Sequence, residues 1–351
     1  MVTIGRELQF IMLYSFTHLI VDAACAFLLL GVLDISEQAI LYLLLYNSIA
    51  FVFQAPFGYI IDKALNPKFA AILGLFFVAV SFLFWNKIFI AIIIVSIGNA
   101  LFHVGGGSLV LSLKSKKATF SGIYVAQGGI GLALGSLFAV MPINIHLLFF
   151  SFILITLCLI LYFIEVPDFN RTNERKGKIN LRILIVVLIM IPIAIRSLIG
   201  LSLEFPWKEN QVLLIILVIA IALGKIFGGV LADRYGLKKV GVGGLLLSIP
   251  FLSLFSSVPL LGILGAFIFN FSMPVTLIAM FSIMPDHKGL SFGLTTVALF
   301  IGALPVIIGE DMWIKNDFVI FSFIIASTIF LFAAMQLIDK LKKQRSINDG
   351  L

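Results

Sequence analysis

Apolar stretches long enough to cross a bilayer follow one another along the whole chain, separated by short polar punctuation. About 20 apolar residues span a bilayer as a helix. Breaks at charged clusters and at Pro, Gly or Asn turns divide the sequence into twelve such helices. The expected spans are 8–33, 38–61, 69–85, 88–112, 119–141, 145–164, 181–203, 210–232, 240–257, 259–284, 289–309 and 317–338. Ser256, Ser257 and Pro259 mark the weakest turn, between the ninth and tenth. The longest polar segment, 167–180 (PDFNRTNERKGKIN), splits the spans six and six. The pattern predicts an all-α polytopic membrane protein with a six-helix half 1–166, a linker 167–180, a second six-helix half 181–338 and a basic tail 339–351.

Composition narrows the class. Of 351 residues, 61% are hydrophobic and 12% charged; a soluble domain carries about 25% charged residues, so a water-soluble globular protein is excluded. The net charge of +7 is a topology signal, because the bases cluster on alternate loops. With the amino terminus inside, the inner loops hold Lys63, Lys68, Lys114, Lys116, Lys117, Arg171, Arg175, Lys176, Lys178, Arg234, Lys238, Lys239 and Lys288. Lys340, Lys342, Lys343 and Arg345 add to them in the tail. The outer loops hold Asp34, Glu37, Glu204, Glu209, Glu310, Asp311 and Asp317, with only Lys87, Lys208 and Lys315 as bases. This bias predicts a multi-pass protein of the cell (inner) membrane with both termini cytoplasmic, and no nucleic-acid partner. Cys25 and Cys158 lie in apolar runs and offer neither a disulfide framework nor metal spacing. The first run is too long for a signal peptide, and Asp22 argues against lipoprotein cleavage at Cys25.

The chain repeats itself. Gly58-Tyr-Ile-Ile-Asp62-Lys63 after the second span echoes Gly229-Val-Leu-Ala-Asp233-Arg234 after the eighth, 171 residues on. The same offset pairs Asn99 with Asn270, Gly122 with Gly293 and Gly131 with Gly302. Agreement across three helix pairs predicts two duplicated halves, as in transporters built from parallel repeats. Gly229-x-x-x-Asp233-Arg234-x-Gly236 followed by Lys238 and Lys239 resembles the signature loop of the major facilitator superfamily, with Leu237 inserted before the bases. The first copy departs further, with Lys63 for Arg and Leu65 for Gly. The resemblance implies an alternating-access transporter whose first, fourth, seventh and tenth helices line a central cavity, with the Asp62 and Asp233 loops at the inner gate.

Ionisable groups inside a bilayer are costly and point to function. His18 and Asp22 share a helical face in the first span, and Asn99 and His103 share one in the fourth. His18-x-x-x-Asp22 with Phe102-His103 partly resembles the fosmidomycin-resistance branch, although Val21, Val104 and Gly105 depart from its pattern. Gly122-x8-Gly131-x3-Gly135 resembles the start of a drug/proton antiporter signature; close packing against Gly224-x3-Gly228 of the eighth span explains it equally well. His18, Asp22 and His103 are the expected proton-coupling group, and Asn99, Arg196, Asn270 and Gln127 are expected to contact substrate. Arg196 is expected to reach either Asp22 across the halves or Glu204 by snorkelling outward. Lys225, eight residues before Asp233, is expected to snorkel to the inner face, or, as the equivalent of Gln54 at the same offset, to share with it an inward-facing polar position. Tyr124, Asn47 and Ser272 are further candidate hydrogen-bonding groups within the spans.

No nucleotide-binding motif, catalytic motif or metal-ligand cluster is visible, so no cofactor, metal or enzymatic activity is expected. The function expected is secondary transport of a small organic solute, as proton-coupled efflux; the alternative is a facilitator or an importing proton symporter. Its partners are the solute, protons and the lipid bilayer, and the expected state is a monomer.

Overall fold

The fold was analysed in a computed structural model, which describes residues 2–32, 38–113, 115, 117–139, 143–167 and 179–349. Most of the linker, together with Asp34, Glu37, Lys114 and Lys116, lies outside the described residues, as do Arg171, Arg175, Lys176 and Lys178. Among the described residues, twelve helical rods follow in chain order. The first half holds α1 (Val2–Val32), α2 (Ala39–Lys63), α3 (Pro67–Ser81), α4 (Ile88–Ser112), α5 (Ala118–Ala139) and α6 (Ile143–Phe163). The second holds α7 (Ile179–Ser202), α8 (Gln211–Tyr235), α9 (Leu237–Ser253), α10 (Pro259–Ile283), α11 (Lys288–Ile307) and α12 (Asp317–Asp349). Ten are long and apolar enough to cross a membrane, while α9 and the described apolar part of α6 (Leu148–Phe163) are shorter. Their outward sides stay apolar; Phe163 and Leu148 are 78% and 77% exposed, as lipid-facing groups should be.

Three departures from the expected spans have local causes. A π-helical turn, Ser48–Val52, interrupts α2, and α10 breaks at Asn270 and Phe271, between Pro259–Phe269 and Ser272–Ile283. Gly236, at φ 95°, closes α8 and opens α9 at once, which places Lys238 and Lys239 in the first turn of α9 instead of in a loop. That left-handed backbone disfavours any side chain. The expected basic tail is helical, since α12 continues past 338.

Two core clusters hold the molecule together. One draws nearly all its residues from α1–α6, around Phe27, Phe82, Phe102 and Phe150; the other draws nearly all from α7–α12, around Ile189, Ile193, Leu252 and Ile324, with Ala118 of α5 joining it. The halves meet along two seams, α2 against α11 and α5 against α8. At the first seam, Asp62 accepts backbone hydrogen bonds from Gly289 (2.8 Å) and Leu290 (2.9 Å) at the start of α11. At the second, Asp233 accepts them from Ala118 (2.8 Å) and Thr119 (3.0 Å) at the start of α5. Every residue of one seam lies 171 positions from its counterpart in the other. A carboxylate facing a helix N-terminus gains from the exposed N–H groups and from the helix dipole. Gly58 and Gly229 let the backbones close: a methyl on either would strike the backbone of Gly289 or Ala118. Both seams are thus bolted at the face on which the first helix begins and the last one ends.

Candidate functional site

The first half carries a buried cluster built around Asp22. The i,i+4 spacing on α1 brings His18 Nε2 to 3.2 Å from Asp22 Oδ2, and α4 delivers His103 Nε2 to 3.2 Å from Oδ1. Close packing makes this possible. Gly131 and Gly135 of α5 lie directly against the Leu19 and Ala23 carbonyls of α1. Asp22 is 7% exposed and His18 5%. The rings of His18 and His103 meet edge to face at 4.5 Å, with Tyr124 4.6 Å from His18.

The other ring nitrogens settle the proton positions. His18 Nδ1 faces the Tyr124 carbonyl at 2.8 Å, and His103 Nδ1 faces the Asn99 carbonyl at 2.9 Å. A carbonyl only accepts, so each Nδ1 carries a hydrogen. Each Nε2 is then either protonated and donating to Asp22, or bare with its lone pair aimed at a carboxylate oxygen. The cluster therefore offers two fixed positions for protons. The side-chain amide of Asn99 donates to Tyr46 Oη at 3.1 Å and to Cys25 Sγ at 3.4 Å, and reaches Asp22 Oδ1 at 3.5 Å. Tyr46 and Cys25 were not anticipated as members. The hydroxyl of Tyr46 beside Asn47 in an apolar span was the available signal, but its pairing depends on helix packing. One ligand atom from each of His18, Asp22 and His103 lies within 4.8 Å of the others, a grouping that could hold a metal ion and that sequence spacing did not reveal.

The remaining candidates separate into two groups. Arg196 on α7 and Lys225 on α8 are buried at 7% and 8% exposure. Neither expected partner of Arg196 is its ion pair: both oxygens of Asp22 face the histidines, and Glu204 pairs with Lys315, holding that ammonium's pKa above its ordinary value. The separation follows from geometry, because Asp22 points from α1 into α5 and its own half. Lys225 does not snorkel; its Nζ donates to the Val125 carbonyl of α5 at 3.3 Å. Asn270, at the break in α10, donates to the Ala266 carbonyl of its own helix at 2.8 Å, so the repeat that pairs it with Asn99 does not carry over to its bonding. Gln127 is half-buried on α5. Gly224 and Gly228 pack on Phe267 and Phe271 of α10, rather than on α5 as expected; of Gly122, Gly131 and Gly135 only Gly122 meets α8, at the Lys225 carbonyl.

One detail links the groups. A methyl built on Gly128 would sit 2.5 Å from Asp22 Oδ2 and 2.7 Å from His18 Nε2, while one on the adjacent Gly129 would sit 3.3 Å from Lys225 Nζ. α5 is a thin wall, with the His–Asp–His cluster on one side and Lys225 on the other.

Comparison with solved structures finds the major facilitator fold. The Escherichia coli fucose:proton symporter superposes with a TM-score of 0.70 at 14% identity, covering 94% of this chain and 98% of its own. A second structure of it, in the outward conformation, gives 0.69 at 14% identity over 93% and 98%. The human organic anion transporter MFSD10 gives 0.68 at 13% identity over 95% and 99%. Neither a scan against protein-family models nor a search of curated proteins finds a match.

Proposed function

We propose that this chain is a secondary transporter of the cell membrane that moves a small organic solute by alternating access and couples that movement to protons. The reading is carried by one observation: two imidazoles whose Nδ1 atoms are committed to backbone carbonyls aim both Nε2 atoms at one buried carboxylate. Protonated, the cluster is held by two charge-assisted hydrogen bonds. Deprotonated, it sets lone pairs against a carboxylate in a dry environment, which drives Asp22 to seek another arrangement. Proton gain and loss thereby bias the packing of α1, α4 and α5.

The two halves, 1–166 and 181–338, rock about the seams, with the linker joining them. The positive-inside bias assigns both termini to the cytoplasm and makes the bolted face the inner one. Asp62, with Gly58, and Asp233, with Gly229, Arg234 and Gly236, then form the inner gate. Opening requires both carboxylates to release their helix ends. Export of the solute against entering protons is the direction we favour, on the partial likeness of His18-x-x-x-Asp22 and Phe102-His103 to an efflux branch; the chain acts as a monomer and not as an enzyme.

The test is solute uptake in proteoliposomes under an imposed pH gradient. Wild-type protein should move solute and protons in opposite directions, and Asp22→Asn should lose the proton dependence. Undiminished coupling in that variant would sink the role of the cluster, and movement in the same direction would replace export by symport.

A further inference from the structure

Arg196 and Lys225 are the two buried arginine or lysine side chains among the described residues. They lie on α7 and α8, consecutive in the second half, and Lys225 is within electrostatic reach of Arg196 and, through α5, of Asp22. The protein does not complete them. Arg196 Nη1 is buried with no hydrogen-bond partner. Lys225 has the Val125 carbonyl at 3.3 Å. Among the described residues, no carboxylate stands at ion-pair distance from either. Asp22 cannot serve, because each of its oxygens already faces a histidine.

Two cations buried without a counter-ion are strongly disfavoured in a membrane interior unless something else supplies negative charge. The groups also divide the work that an oxyanion needs: a guanidinium offers a planar fork of donors, and an ammonium a mobile point charge. Gly129 keeps α5 clear of Lys225 Nζ, since even a methyl there would come to 3.3 Å. We infer that Arg196 and Lys225 bind the oxyanion group, carboxylate or phosphonate, of a small organic anion that is the transported solute. The inference rests on the transporter reading above and names its substrate class. The positive charge is retained because the solute, and not a protein carboxylate, is its partner.

The test uses the full-length protein, purified, with probes matched in size and different in charge: acetate and acetamide, then benzoate, phenylphosphonate, benzamide and benzylammonium, all at constant ionic strength. Thermal stabilisation and uptake into proteoliposomes are both read. At least one anion should bind more tightly than its neutral partner. Arg196→Gln and Lys225→Met should each weaken that binding at least tenfold, and Arg196→Lys should retain part of it. The inference falls if no anion binds, if neutral partners bind equally well, or if Arg196→Gln and Lys225→Met leave anion affinity unchanged. Anion uptake indifferent to a pH gradient would keep this inference and remove the proton reading. Proton-driven uptake confined to neutral or cationic solutes would do the reverse.

Discussion

The two seams between the halves share one backbone plan and differ in chemistry. At α2–α11, Gly293 meets the carbonyl of Gln54, and Asp62 caps two backbone N–H groups. At α5–α8, the equivalent Gly122 meets the carbonyl of Lys225, and Asp233 caps two N–H groups and the Thr119 hydroxyl besides. Gln54 is neutral, and its Nε2 turns back to the Ala50 carbonyl of its own helix; Lys225 is charged and reaches across to α5. The glycines and the carboxylates are kept in both copies because close helix approach and N-terminal capping leave few alternatives. The side chains that face inward have diverged. Symmetry is therefore the scaffold, and the departures from it fall at the groups proposed to handle solute and protons.

The largest effect is expected at the cluster that has no copy in the second half. Asp22→Asn should reduce proton-driven uptake by about 100-fold or more, the scale for removing a group that transfers protons, while pH-independent exchange falls less. Equal loss of both would mean that the residue only holds α1 in place. Next comes the wall. Gly128→Ala should destabilise the fold by about 1–3 kcal/mol by overpacking, because its methyl would meet Asp22 and His18. Gly129→Ala should cost less, since the obstacle is the end of a flexible lysine. Thermal unfolding of the two variants side by side decides this, and a larger cost at Gly129 would break the assignment of the two faces.

The bolts should differ by less. Asp62→Asn and Asp233→Asn should each shift the ensemble toward opening at the bolted face, by about 1.5–3 kcal/mol for hydrogen bonds to a charged group. Spin-label distances across that face provide the measurement. Asp233→Asn should shift it further, and Thr119→Val should recover most of the difference between them; identical shifts would remove the asymmetry claimed for the seams. Smallest of all, Lys315→Gln at the exposed Glu204 pair should leave coupling unchanged, because surface ion pairs contribute little.

Much of this was legible in the sequence. The apolar runs marked all twelve helices, and the 171-residue offset identified both bolts before their partners were known. Asp22, His18 and His103 stood out as ionisable groups inside spans, and the fold brings them together. What could not be read were contacts between helices distant in the chain. Arg196 was matched with Asp22 because both helices were expected to line the cavity, with Glu204 as the rival, yet Asp22 turns into its own half and two histidines occupy it. Lys225 was read from its distance to the end of α8 as a snorkelling residue, whereas glycine packing along α5 keeps it inside. The break at Asn270 was missed although Pro274, which has no N–H to give the Asn270 carbonyl, was a readable signal for it.

The paired glycines of α5 have a consequence beyond packing. With no side chain at 128 or 129, the helix behaves like the film of a capacitor, its plates being the acid cluster on one surface and the ammonium on the other. The strength with which a charge arriving at one plate is felt at the other depends on the thickness of that film. A single methyl group inserted there would press on Asp22 and His18 from position 128, or on Lys225 from position 129, and should alter how strongly the two plates feel each other.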